Sequence, residues 1–157
     1  SDRDQYHHRI EAINFTLNTD DGLNPSYYDD ADVILVGVSR SGKTPTSIYL
    51  ALHYGLATAN YPLTEDDLRR DTLPRPLAHQ AKKCFGLTIN PEHLNKIRTE
   101  RLNDSQYASL KQCKKEIECA EGLFAENRIP MLNTTHLSVE EIATKIVAEK
   151  KLERKLI

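Results

Sequence analysis

Residues Asp30–Ala51 read DADVILVGVSRSGKTPTSIYLA, and the fold class is decided here. Val33 to Val36 is an unbroken apolar run with β-branched members, the composition of a strand covered on both faces. A helical pattern resumes at Gly42 and runs to Tyr54. Between them, Gly37-Val38-Ser39-Arg40-Ser41-Gly42-Lys43-Thr44 matches G-x-x-x-x-G-K-[ST] at every fixed position, a match that chance supplies in well under ~1% of chains this long. Gly37 and Gly42 lack Cβ, so the backbone can approach a phosphate closely. The N–H groups of the loop turn inward as an anion nest, reinforced by the helix N-terminus. Lys43 supplies a mobile charge to the terminal phosphate, and the Thr44 hydroxyl suits Mg²⁺ carried by a nucleotide. Pro45 falls in the first helical turn, where a missing N–H costs little.

Working outward, strand and helix patterns alternate. Residues 5–18 predict a helix with Ile10, Ile13 and Leu17 inward, followed by a turn-rich stretch, NTDDGLNPS. Strands are expected at 57–61, 84–89 and 129–133. Residues 64–76 are charged and Pro-containing and predict an exposed, mobile loop. Asn90 is expected to cap a helix carrying Leu94, Ile97 and Leu102 on its buried side, with Pro91 at its first position. Ser105 is expected to cap a long helix with the stripe Leu110, Cys113, Ile117, Ala120, Phe124. Ser138 and Glu141 form a capping box for the last helix. The order predicts an α/β fold with a mostly parallel sheet and helices on both faces, like P-loop kinases. Ligands on such sheets bind at the carboxyl ends of strands, where Gly37 stands.

The chain has 157 residues, the size of one domain, 1–157, with residues 1–30 leading in and 150–157 as a basic tail. Its net charge of −2 argues against general nucleic-acid binding. No apolar run approaches the ~20 residues needed to cross a bilayer. Three cysteines, Cys84, Cys113 and Cys119, show no C-x-x-C and point to a reducing cytoplasmic setting, with all three as core filling. The six histidines show no metal-ligand spacing. GTPase signatures D-x-x-G and N-K-x-D do not occur, and no apolar strand ends in a Walker B acid. Kinases, related phosphotransferases and nucleotide-gated binding domains remain.

The stretches LNTDDG, DADVILVGVSRSGKTPTSIYLA, ANYPL, FGLTINPEHLNKIRTERL, YASLKQC and IPMLNTTHLSVEEIATKI resemble the regulatory proteins of phosphoenolpyruvate synthase and of pyruvate, phosphate dikinase, with the bacterial synthase regulators the nearer. This resemblance implies a bifunctional enzyme. It phosphorylates a threonine of the synthase with ADP, inactivating it, and removes that phosphate with inorganic phosphate, giving pyrophosphate. It also implies a homodimer, and an N-terminal domain of roughly a hundred residues ahead of this segment, a typical domain size. The residues alone do not separate ADP from ATP. A metabolite kinase and a non-enzymatic nucleotide sensor fit the loop as well.

Other residues join the candidate site. Asp20 or Asp21, in TDDG, could accept the threonine proton or organise metal; the plain alternative is a turn. Arg98 and Arg101, three apart in IRTER, could clamp the transferring phosphate; the alternative is a solvated face pairing with glutamates. Arg40 could contact phosphate or point to solvent. Thr134 and Thr135 follow the fourth strand, where P-loop kinases often place the base-binding loop. His53 is expected to pack or face solvent. Ser39 and Ser41 could tune phosphate binding, whereas Ser47 is expected to be buried or bonded back to its helix.

Overall fold

The computed structural model describes residues 2–18, 25–102 and 105–152. Four strands, β1 (Val33–Gly37), β2 (Thr58–Pro62), β3 (Cys84–Thr88) and β4 (Met131–Asn133), form one sheet in the order β2-β1-β3-β4. All three pairings are parallel. Around it lie α1 (Asp2–Asn18), α2 (Lys43–Tyr54), α3 (Glu65–Leu68), α4 (Pro91–Arg101), α5 (Leu110–Glu126) and α6 (Val139–Glu149). This is the expected α/β fold. Among the described residues no helix is long and apolar enough to cross a membrane.

Side chains alternate along each strand, so the sheet builds two cores. Val33, Leu35, Phe85 and Leu87 pack with Leu50 of α2 and Ile142 and Ile146 of α6. Ile34, Val36 and Cys84 pack with Leu94 of α4 and with Cys113, Ile117, Ala120 and Phe124 of α5. Every residue of β1 is buried, as its apolar run requires. From β1 the chain moves to β2 on one side and then to β3 on the other. The order therefore reverses at β1, and the crevice for ligands opens at its carboxyl end. There α2 starts at Lys43, and it ends at Gly55, whose φ of 66° closes the helix.

Several expectations need correction. α1 does not bury Ile10 and Leu17, which are 39% and 58% exposed; it turns Ala12 and Thr16 inward and packs on α2 and β2. The packed face carries the small side chain of Ala12, which lets the helix approach closely, and the row of Ile10 and Leu17 lies off that face. Residues 64–76 are not a simple loop. Thr64 and Asp67 form a reciprocal capping box for α3, Tyr61 donates to Asp67 at 2.9 Å, and a 3₁₀ turn at Arg75–Leu77 sends Leu77 into the core. α5 begins after Ser109, whose hydroxyl accepts from Gln112 N at 3.2 Å. Ser105 instead accepts from Ala108 N at 3.1 Å and closes a turn, so Leu110 stays partly exposed and the buried stripe starts at Cys113. Asn90 stands at the N-cap of α4 without a side-chain cap bond; its Oδ1 accepts from Asn133 at 2.8 Å. Leu102 lies just past α4 and is 52% exposed. The Ser138–Glu141 box is formed as expected. Cys84 and Cys113 are buried, whereas Cys119 is only half-buried.

Two outcomes follow from this core. A Cβ on Gly86 would meet the Phe124 ring at 2.7 Å. Gly86→Ala should cost about 1–3 kcal/mol by urea unfolding, the range for overpacking. Burial also pushes the Cys84 thiol and the Tyr28 phenol up to about 12, and raises Tyr61 further with help from the Asp67 carboxylate. These acids keep their protons in the fold longer than in the unfolded chain. Below about pH 9, the ordinary thiol value, both states are protonated; above it the unfolded chain loses protons first. The urea midpoint should be flat from pH 7 to 8.5 and fall from about 9 to 11, and Cys84→Val should reduce the earliest part of that fall, the rest of which comes from Cys113, whose thiol is also raised by burial.

Candidate phosphate-binding cleft

The loop between β1 and α2 has little freedom. A Cβ on Gly37 would lie 2.6 Å from Ser41 Oγ and 2.8 Å from the Leu87 carbonyl oxygen. Arg40 and Gly42 take left-handed φ values of 71° and 100°. For Gly42 this is free of strain; for Arg40 the neighbours must hold it. Ser41 Oγ and Lys43 Nζ both donate to the Val38 carbonyl, at 2.8 and 2.7 Å. The single hydroxyl proton of Thr134 is shared between the Ser41 carbonyl at 3.1 Å and the Thr88 carbonyl at 3.2 Å.

Arg98 is fully buried beneath the loop. Its Nη2 donates to the Ser39 carbonyl at 3.0 Å and to Glu116 Oε1 at 2.9 Å. Its Nη1 donates to Glu116 Oε2 and to the Tyr107 carbonyl, both at 3.0 Å. The guanidinium also lies 4.1 Å from the centre of the Tyr107 ring, and the Tyr107 hydroxyl shares a 2.7 Å hydrogen bond with Ser39 Oγ. Burial works against the Arg98 charge, but the Glu116 carboxylate outweighs it and the pKa is raised. Removing one partner of such a buried pair costs about 3–5 kcal/mol.

A cleft of about 820 Å³ lies over the loop. Ser39, Arg40, Gly42, Lys43, Thr44 and Pro45 line one wall, Asn60 and Pro62 of β2 a second, and Ile97, Arg101, Leu102 and Tyr107 a third. Arg40, Lys43 and Arg101 make this lining basic, and among the described residues it contains no carboxylate. Its volume suits a nucleotide or a comparable ligand.

The structure thus brings together Ser39, Arg40, Gly42, Lys43, Thr44 and Arg101 at the cleft, with Gly37, Val38 and Ser41 packed behind. It does not place Arg98 beside Arg101 in that lining; Arg98 lies beneath the loop. Thr134 is buried behind the loop, and Thr135 accepts from the Asn90 amide at 2.8 Å. Asp20 and Asp21 lie outside the described residues. Ser47 donates to the Thr44 carbonyl at 2.8 Å and accepts from Asn60 at 3.1 Å; His53 is exposed, 4.2 Å from the Tyr49 ring between centroids. Asn60, Tyr107 and Glu116 were missed. Tyr107 and Glu116 lie on segments far along the chain, with nothing local to mark them, whereas Leu94 and Arg98, four apart, share the inner face of α4.

The chain is also similar to known proteins. The family model described as Kinase/pyrophosphorylase matches residues 2–147. The chain belongs to the kinase/pyrophosphorylase family. A relative from Stenotrophomonas maltophilia, named "Putative phosphoenolpyruvate synthase regulatory protein", is 57% identical over 99% of this chain and 56% of its own length. Proteins of the same name from Alkalilimnicola ehrlichii and Pseudoalteromonas translucida are 57% and 55% identical, over 99% and 96% of this chain and 57% and 56% of their own. The chain therefore spans a little over half the length of these kinase/pyrophosphorylase relatives.

Gly37→Ala should weaken binding of pyrophosphate to the cleft by more than about tenfold in calorimetric titration, because the Cβ displaces Ser41 from the loop. Gly122→Ala, with nothing within 4 Å of the new Cβ, is the control and should leave binding intact.

Proposed function

We propose that this chain carries the phosphoryl-transfer site of a regulator of phosphoenolpyruvate synthase. In this reading the β-phosphoryl group of ADP passes to a threonine oxygen of the synthase with AMP leaving, ATP being the alternative donor, and that phosphate is removed by attack of inorganic phosphate, which releases pyrophosphate and frees the threonine oxygen. The observation that carries the reading is the strand–loop–helix at Gly37–Thr44, set with Lys43 and Arg101 in one basic cleft. Supporting it, the relatives' names supply the target, and the family description pairs kinase with pyrophosphorylase chemistry.

Both directions move a phosphoryl group at one threonine oxygen, so a single anion site serves both. Catalysis of this kind is mostly positioning and charge stabilisation. The loop amides and the start of α2 hold the phosphates, Lys43 leaves the Val38 carbonyl to meet them, and Arg101 closes on the transferring group. Asp20 or Asp21 accepts the threonine proton. Magnesium brought by the nucleotide would be held mainly by phosphate oxygens, with the Thr44 hydroxyl in the cleft lining as a protein ligand, and would neutralise phosphate charge.

To test this, the chain and its full-length Stenotrophomonas relative are each incubated with β-labelled ADP and phosphoenolpyruvate synthase. Label on a synthase threonine is expected, and Lys43→Ala should slow its appearance by about 10²–10³-fold with an unchanged melting temperature. Label on a small acceptor, no label with either protein, or near-normal turnover in Lys43→Ala overturns the reading.

A further inference from the structure

A trans peptide is planar, and its N–H points opposite to its C=O. A carbonyl tied down on one side therefore aims the next residue's amide to the other. Two loop carbonyls are tied down by side chains from outside the loop. Arg98 holds that of Ser39 at 3.0 Å, and Thr134 holds that of Ser41 at 3.1 Å. The amides so aimed are those of Arg40 and Gly42, the two residues of the loop with left-handed φ. Both residues line the cleft, whereas Arg98 and Thr134 lie behind the loop.

We infer that Arg98 and Thr134 are positioning residues that pre-form the anion site: they pin the Ser39 and Ser41 carbonyls so that the Arg40 and Gly42 amides face the phosphates. The inference rests on the phosphate-site reading above and names what sets that site's shape. Arg98 suits this role because its fork has donors enough for Glu116 and two carbonyls together. Glu116 in turn is steadied by Gln112, which donates to it at 2.9 Å. Tyr107 completes the brace from the cleft side through its bond to Ser39 Oγ. Pre-aimed donors need no reorganisation when the anion arrives, which is where their benefit to binding lies.

The test uses the 157-residue chain with inorganic pyrophosphate as probe, read by titration calorimetry and by ¹⁵N–¹H amide shifts. Thr134→Val keeps the side-chain shape and removes the donor. It should weaken pyrophosphate binding about tenfold, as loss of one hydrogen bond that shapes the site would. It should also abolish most of the ligand-induced shift of the Gly42 amide while leaving that of Arg40. The double variant Arg98→Met/Glu116→Met removes the buried charges as a pair, an exchange such sites often tolerate. It should reverse that pattern, with the Arg40 shift lost. Folded variants that bind like the wild type and keep both shifts overturn the inference while the phosphate-site reading stands. If the double variant does not fold, Thr134→Val decides alone. A wild-type chain that binds neither pyrophosphate nor ADP overturns the phosphate-site reading itself, and the inference with it.

Discussion

The contact at Gly37 constrains everything built above it. The backbone of β1 leaves the sheet against the carbonyl of Leu87 on β3, with Ser41 folded back over the same spot, and there is no room for a Cβ. A loop in this position cannot slide along the strand or lift from it without opening the sheet. Its place is therefore fixed by the parallel pairing of β1 with β3, which in turn depends on the apolar side chains that both strands send into the two cores. Fold stability and site geometry meet in one contact.

Close packing fixes where the loop is, but not which way its peptides face. That second choice is electrostatic. A guanidinium carried into the protein interior is costly unless its charge is matched and its donors are used. Glu116 matches the charge, and the two Nη groups also reach the backbone carbonyls of Ser39 and Tyr107, while Nε has no hydrogen-bond partner among the described residues. A lysine here would offer a single ammonium on a flexible stem and could not span the same set of partners with a planar fork. The cost of burying Arg98 and the orientation of the Ser39 peptide are thus two sides of one arrangement.

This division explains what was legible in the sequence. The strands, the parallel order and the loop were readable because each is encoded locally: an unbroken apolar run at Val33–Val36, helical period at Lys43–Tyr54, and fixed spacing within the loop. The capping box at Ser138–Glu141 is local as well. The roles of Arg98 and Thr134 were not legible, because they are set by partners 59 and 93 residues away, Ser39 and Ser41. An arginine at the surface and one beneath a loop look alike in a string of letters. Spacing of three suggested that Arg98 and Arg101 act together; the spacing of four from Leu94 was the better guide to Arg98. The displaced start of α5 has a similar origin: Ser105 and Ser109 are both good caps, and the choice was made by the turn that sets Tyr107 against the loop.

Tyr107 is where the brace and the cleft join. Its carbonyl accepts from Arg98, its hydroxyl bonds Ser39, and it lines the same cleft as Lys43 and Arg101. With Ile97 and Leu102 it supplies apolar surface to a cleft that Arg40, Lys43 and Arg101 make basic. An occupant with a charged end and an apolar end would therefore touch the loop twice, directly through its charge and indirectly through Tyr107. Tyr107 thus touches both the brace beneath the loop and the cleft above it, so the packing of one bears on the shape of the other.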